Sequence, residues 1–206
     1  VYIYRYNDQG DLLESINPDG SSVEYKYENG NPVEIKNAEG AIWKNEYDDK
    51  DQLTKEIDPL QRETSYCYNA QGLPTSIIDA KGGSKSFKYD AQGNLLSYQD
   101  CSGKETKWGY DERGRVKFAE NALKQKVEYF YTGSDTEQRT AIIKGVPLNA
   151  LGQLEKIKHA DGTEEHFVHD AEGRLLAHLD PNQQQTRYEY DESGLITVRT
   201  DALGHK

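Results

Sequence analysis

One short pattern recurs along the whole chain at an almost constant step. The aromatic residue just before each acidic or amide turn falls at Tyr6, Tyr27, Tyr47, Tyr68, Tyr89, Tyr110 and Tyr131, in steps of 21, 20, 21, 21, 21 and 21. After an irregular stretch the phase resumes at Leu148, His169 and Tyr190, again 21 apart. A second aromatic column lies two residues earlier: Tyr4, Tyr25, Tyr66, Phe87, Trp108, Tyr129, Phe167 and Tyr188, broken only by Asn45 and Val146. A fixed period of this kind marks a repeat architecture, in which each unit buries its apolar face against its neighbours.

A turn follows each marker. The turns read NDQG (7–10), NAQG (69–72), DAQG (90–93), DERG (111–114), NALG (149–152), DAEG (170–173) and DESG (191–194). Asp or Asn opens the turn because its side chain can bond the backbone two residues on. Glycine closes it because the chain must leave with positive φ, so Gly10, Gly72, Gly93, Gly114, Gly173 and Gly194 are the candidate structural glycines. ENG at 28–30 is one residue short, and DDKD at 48–51 has lost its glycine. A second turn comes about ten residues later, as in NPDG (17–20), DPLQ (58–61), DAKG (79–82), NALK (121–124) and DPNQ (180–183). Each unit therefore reads strand, turn, strand, turn.

The strands alternate with a period of two. In SSVEYKY (21–27), Val23, Tyr25 and Tyr27 share one face, and Ser22, Glu24 and Lys26 take the other. Outgoing strands carry an apolar residue two places after the glycine, at Leu12, Leu95, Val116, Leu154, Leu175 and Ile196. A helical period fits none of this. The predicted fold is all-β: a repetitive antiparallel meander of two-strand repeats, curved or spiral because a flat ribbon would leave its aromatic face exposed. About nine repeats over residues 1–206 give roughly nineteen strands. Residues 132–148 are read as an irregular repeat or an insertion.

Composition limits the partners. Only 34% of the 206 residues are hydrophobic, with 15 Tyr and no Met, which is little material for a thick two-layer core. A formal charge of −11 argues against nucleic acid or an anionic membrane as partner. No run of 18 apolar residues could span a membrane as a helix. Cys67 and Cys101 fall at opposite strand ends, roughly 20 Å apart, so two free thiols are predicted. The chain starts in mid-pattern at Val1 and reads as a piece of something longer.

YDERGRV at 110–116 and HDAEGRL at 169–175 resemble the YD motif of the Rhs family, with DPLQ and DPNQ as worn versions of its Asp-Pro turn. The resemblance covers essentially the whole chain. Similar repeats occur in bacterial Rhs polymorphic toxins, in the C-component of insecticidal toxin complexes and in teneurins. The short, gap-free units look bacterial. The resemblance implies a hollow β-shell that encloses a C-terminal toxin domain until delivery. Its partners would be the remainder of its own shell, that toxin domain and secretion-system components. Its place would be secreted or cell-surface delivered after synthesis in the cytoplasm, in the service of bacterial competition. Self-cleavage and toxin activity are assigned to none of these residues.

Other chemistry is weaker. The turn aspartates are too few per turn for calcium. His159, His166, His169 and His178 fall close together in sequence, but alternation sets His166 and His169 on opposite faces of one strand. The serines occupy solvent-facing strand and turn positions, and neither cysteine has a histidine in its own or an adjacent repeat. No enzyme activity, cofactor or metal is predicted. The alternative reading is an extracellular adhesion or carbohydrate-binding surface, with Trp43 and Trp108 stacking on sugar rings.

Overall fold

The computed structural model describes residues 1–133 and 152–206. The irregular stretch at 132–148 therefore lies almost wholly outside the described residues, as do Val146 and Leu148. The described chain contains eighteen strands and no helix. It divides into two compact units, Val1–Glu105 and Thr106–Lys206. The first holds β1 (Ile3–Tyr6), β2 (Leu12–Ile16), β3 (Ser22–Glu28), β4 (Asn31–Lys36), β5 (Ile42–Tyr47), β6 (Leu53–Ile57), β7 (Glu63–Tyr68), β8 (Pro74–Ile78), β9 (Ser84–Tyr89) and β10 (Leu95–Gln99). The second holds β11 (Glu105–Tyr110) apart from its first residue, β12 (Val116–Glu120), β13 (Lys126–Tyr131), β14 (Leu154–Lys158), β15 (Glu164–His169), β16 (Leu175–Leu179), β17 (Gln185–Tyr190) and β18 (Ile196–Thr200). Within each unit every strand pairs antiparallel with the next in sequence.

One turn geometry recurs on both edges. At Asp90 the backbone N–H donates to the Asn94 carbonyl at 3.0 Å, and the Gly93 N–H returns to the Asp90 carbonyl at 3.1 Å. The Asp90 carboxylate accepts the N–H groups of Gln92 at 3.0 Å and Asn94 at 2.8 Å. This is a three-residue hairpin loop closed by a residue in the left-handed region. Gly10, Gly72, Gly93, Gly114, Gly173 and Gly194 all hold that position, with φ between 76° and 92°. The turns that lack glycine keep the same geometry, with Asp51, Gln61, Lys124 and Gln183 at φ of 60–65°. The short ENG turn is a different solution. Glu28 faces Asn31, and both residues between them are left-handed, Asn29 at 52° and Gly30 at 82°. That is the two-residue Asn-Gly hairpin favoured by strand twist.

The hydrogen bonds hold the turn carboxylates below the usual range. In Asp79 the backbone N–H groups of Gly83 and Lys81 do this; in Asp90 the Asn94 side chain leads. Asn7, Asn37, Asn69 and Asn121 accept the same pair of N–H bonds without a charge.

A bulge accompanies the turn that follows each marker. Arg5 faces Glu14, but Tyr6 faces Leu12, so Leu13 is extra. The same slip recurs at Tyr47/Leu53, Tyr68/Pro74, Tyr110/Val116, His169/Leu175 and Tyr190/Ile196. The two faces differ in chemistry. One carries the aromatic columns, with Tyr98 opposite Phe87 and their rings 5.3 Å apart. The other carries cross-strand ion pairs, including Lys26–Glu34 at 2.6 Å, Lys36–Glu24 at 3.0 Å and Lys156–Glu164 at 3.1 Å. Water screens these exposed pairs, so each adds little to stability.

No large side chain is fully buried among the described residues; the buried ones are Val168, Ala177, Ser97 and His166. Ser97 corrects the expectation that the serines face solvent. It sits in mid-strand opposite Lys88. Cys67 and Cys101 are both exposed free thiols.

The turn geometry generates a paired prediction. A Cβ on Gly114 would meet nothing within 4 Å, so Gly114→Val isolates the backbone strain. It should lower the unfolding free energy by about 1–2 kcal/mol. Gln61→Gly relieves the same strain and should raise it by about 0.5–1 kcal/mol. Chemical denaturation of both variants checks this; equal midpoints would refute the left-handed assignment.

Candidate functional site

The positions that carry the repeat do more than turn the chain. Tyr6, Tyr68, Tyr89, Tyr110 and Tyr190 end their strands, and Tyr27 is the last residue but one of β3. Several marker hydroxyls reach back into the preceding repeat. Tyr47 donates to the Pro32 carbonyl at 3.1 Å, Tyr68 to Leu53 at 2.8 Å, Tyr131 to Val116 at 2.9 Å and Tyr190 to Leu175 at 2.8 Å. The bulge explains the target. It lies beside Leu53, and the β6–β7 ladder stops at Lys55 opposite Ser65. The Leu53 carbonyl then needs another donor, because a half-buried carbonyl left unpaired is costly. The tyrosine supplies it across the joint between repeats. Burial pushes the Tyr68 hydroxyl up, which keeps it protonated as a donor.

The residue after the turn glycine makes a second stitch. Arg115 donates from Nε to Asp111 at 2.7 Å and from Nη1 to the Gly152 carbonyl at 3.0 Å. Its guanidinium lies 4.2 Å from the centre of the Tyr131 ring. Arg174 repeats part of the arrangement, bonded to Asp170 and 5.2 Å over Tyr190. At Asp111 burial pulls the carboxyl upward, but the bonds from the Arg115 side chain and backbone prevail and hold it low. Where the residue is Gln52, its amide donates to the Gly72 carbonyl at 3.1 Å. Gln71, within its own turn, donates to Ala91 at 2.9 Å. Asp, Gly, Arg and the next Tyr thus form one contact unit joining two repeats. The sequence pattern shows these residues as columns. The Tyr hydroxyl and the Arg span were not read from it, although the constant offset between each marker and its target was available as a signal.

A second cluster occupies β14–β16. Glu165 accepts from His159 Nε2 and His178 Nε2, each at 2.8 Å. The His178 ring stacks on Phe167 at 4.8 Å, with planes 12° apart, as their cross-strand pairing requires. Burial lifts the Glu165 carboxyl, but the two imidazole bonds outweigh it and hold it low. The sequence predicts no convergence of histidines; the register supplies this one. His166 and His169 behave otherwise. Burial pushes both imidazoles below their ordinary value, and the Nδ1 atom of each is buried without a partner. His166 faces Lys156 on β14 and Leu179 on β16, with Glu164 on its own strand. His169 faces Leu175, next to Asp170. Among the described residues no group of three His, Cys, Asp or Glu is placed to hold a metal ion.

The tyrosine stitch and the buried histidines can be tested separately. Tyr68→Phe keeps the ring and removes the donor, so it should cost about 1–2 kcal/mol in a denaturant titration. A value indistinguishable from the parent would show that the Leu53 carbonyl needs no partner. For His166 and His169 the folded value lies below the unfolded one, near 6.5. The unfolded state therefore takes up protons first, and stability falls as the pH drops below about 6.5. His169→Tyr restores the marker column and removes one titrating group. The fall in thermal midpoint between pH 7.5 and 5 should be smaller in that variant; an identical fall would count against the assignment.

Comparison with known proteins places these geometries. The model of the teneurin YD-shell matches residues 1–144, and that of the RHS repeat matches 169–206. A search of curated proteins returned no match. Among solved structures, TcdB2-TccC3 is 18% identical over 97% of this chain, with a TM-score of 0.53. TcdB2-TccC3 without its hypervariable C-terminal region gives the same values. The Photorhabdus luminescens Tc holotoxin pore, at a TM-score of 0.48, is too distant to support a shared fold by itself. The chain spans 12% of the length of these proteins. With a matching model over more than half its length and the stitched repeat that the motif encodes, the chain belongs to the teneurin YD-shell family and carries RHS repeats.

Proposed function

We propose that this chain is a wall segment of a YD shell that encloses a C-terminal toxin domain before delivery, with no catalysis of its own. The observation that carries the reading is the stitching between repeats. In both units, tyrosine hydroxyls and an Arg or Gln after the turn bond backbone carbonyls of a neighbouring repeat. Such bonds continue a barrier rather than build a cleft. The aromatic face is the better lining for an enclosed chain, because it offers broad apolar contact. Secretion or surface delivery follows from the same reading. Trp43 and Trp108 are half-buried in their strands, and this gives a sugar-stacking surface little support.

Limited proteolysis of the full-length parent, read by mass, tests the proposal. A resistant shell together with a separately released, protected C-terminal fragment is the expected result. Immediate digestion of the C-terminal region, or its absence, would overturn it and favour an adhesion role.

A further inference from the structure

Most asparagines of the chain are bound into turns. Asn7, Asn37, Asn69 and Asn121 each accept two backbone N–H groups of the turn they open. Asn94 donates its amide to Asp90 at 2.9 Å. Asn29 is placed differently. It stands inside the two-residue turn between β3 and β4, it is exposed, and its side chain has no hydrogen-bond partner among the described residues. It is also the one asparagine of the sequence that is followed by glycine. Asn182, whose side chain is likewise unbonded, precedes Gln183.

A side chain on the following residue crowds the approach of that residue's nitrogen to the asparagine Cγ, and glycine has none. A Cβ at Gly30 would meet nothing within 4 Å, so the turn stands in open space. The backbone conformation opposes the approach. With φ of 52° Asn29 is left-handed, and a residue in that region holds the next nitrogen nearly opposite its own Cβ. Attack therefore waits for openings of the loop, which cost little at an exposed hairpin end.

We propose that Asn29 is a site of self-modification, at which the Gly30 backbone nitrogen displaces the Asn29 amide when the β3–β4 loop opens. The nitrogen gives up its proton and bonds Cγ. The Cγ–Nδ2 bond breaks, and ammonia leaves with the proton. The product is a five-membered succinimide, and no electrons are transferred to or from the chain. Water then opens the ring at Cγ to give aspartate, or at the main-chain carbonyl carbon to give isoaspartate. Either product places a new carboxylate beside Glu28. Isoaspartate also adds one backbone carbon to the loop, a length that neither the two-residue turn nor the three-residue turns of this chain use. The closing pair of Glu28 with Asn31 cannot re-form around it unchanged, so the modification records that the hairpin has opened.

Incubation of the full-length parent in water enriched in heavy oxygen, at mildly alkaline pH, tests it. Hydrolysis of the succinimide leaves one heavy oxygen atom in the product, and peptide mass mapping reads where that atom has entered. Entry at residue 29 should exceed entry at Asn37, Asn69 and Asn182 severalfold, with isoaspartate among the products. It should quicken severalfold in urea, where the hairpin is open. Entry spread evenly over the asparagines, none at residue 29, or the same rate with and without urea would overturn the proposal. Asn29→Gly keeps a residue pair that this turn accepts. It should remove the label from that peptide and leave the fold intact; label that persists there would come from Asn31 and would also overturn the proposal.

Discussion

The structure depends on one hydrogen-bond set, the side-chain oxygen of the turn-opening Asp or Asn accepting two backbone N–H groups while a left-handed residue closes the loop. Strands this short leave little room for error in register. A hairpin slip of one residue would exchange the aromatic face for the ionic one. The turn prevents this by fixing the loop length, and the bulge beside each marker then resets the pairing at the same place every time. Register, face chemistry and the reach of the tyrosine hydroxyl all follow from where that turn closes.

A sheet with almost no buried side chains needs another source of cohesion. Here it comes from lateral contacts. Rings touch rings across strands on one face, ammonium and carboxylate groups alternate on the other, and the arginines bind their own turn while covering the next repeat's phenol. Each contribution is small, and each is repeated. β15 and β16 depart from this pattern, holding Val168, Ala177 and His166 in real burial and adding the Glu165 bridge. That departure gathers most of the buried side chains into two adjacent strands of the second unit.

Much of this was legible in the sequence. The period, the two faces, the turn openers and the closing glycines needed only alternation and turn chemistry, which act over a few residues. DDKD, DPLQ and NALK show where such reading stops. Without glycine they look like failed turns, yet Asp51, Gln61 and Lys124 adopt the left-handed conformation because the flanking strands and the Asx bonds impose it. The Tyr47–Pro32 and Arg115–Gly152 bonds were not read, because they depend on where the bulge sets the register and on which carbonyls that leaves open, although the constant marker–target offset hinted at the first. The burial of Ser97 escaped as well, since a small side chain in mid-strand is covered by its surroundings whatever its own polarity.

The short turn at Asn29–Gly30 has a consequence for how such chains change over time. It makes its repeat one residue shorter than its neighbours, yet the flanking strands keep their pairing and Tyr47 still finds the Pro32 carbonyl. A deletion is absorbed inside a loop and does not propagate. Single turns of this repeat can therefore lengthen or shorten by a residue while the strands on either side keep their partners.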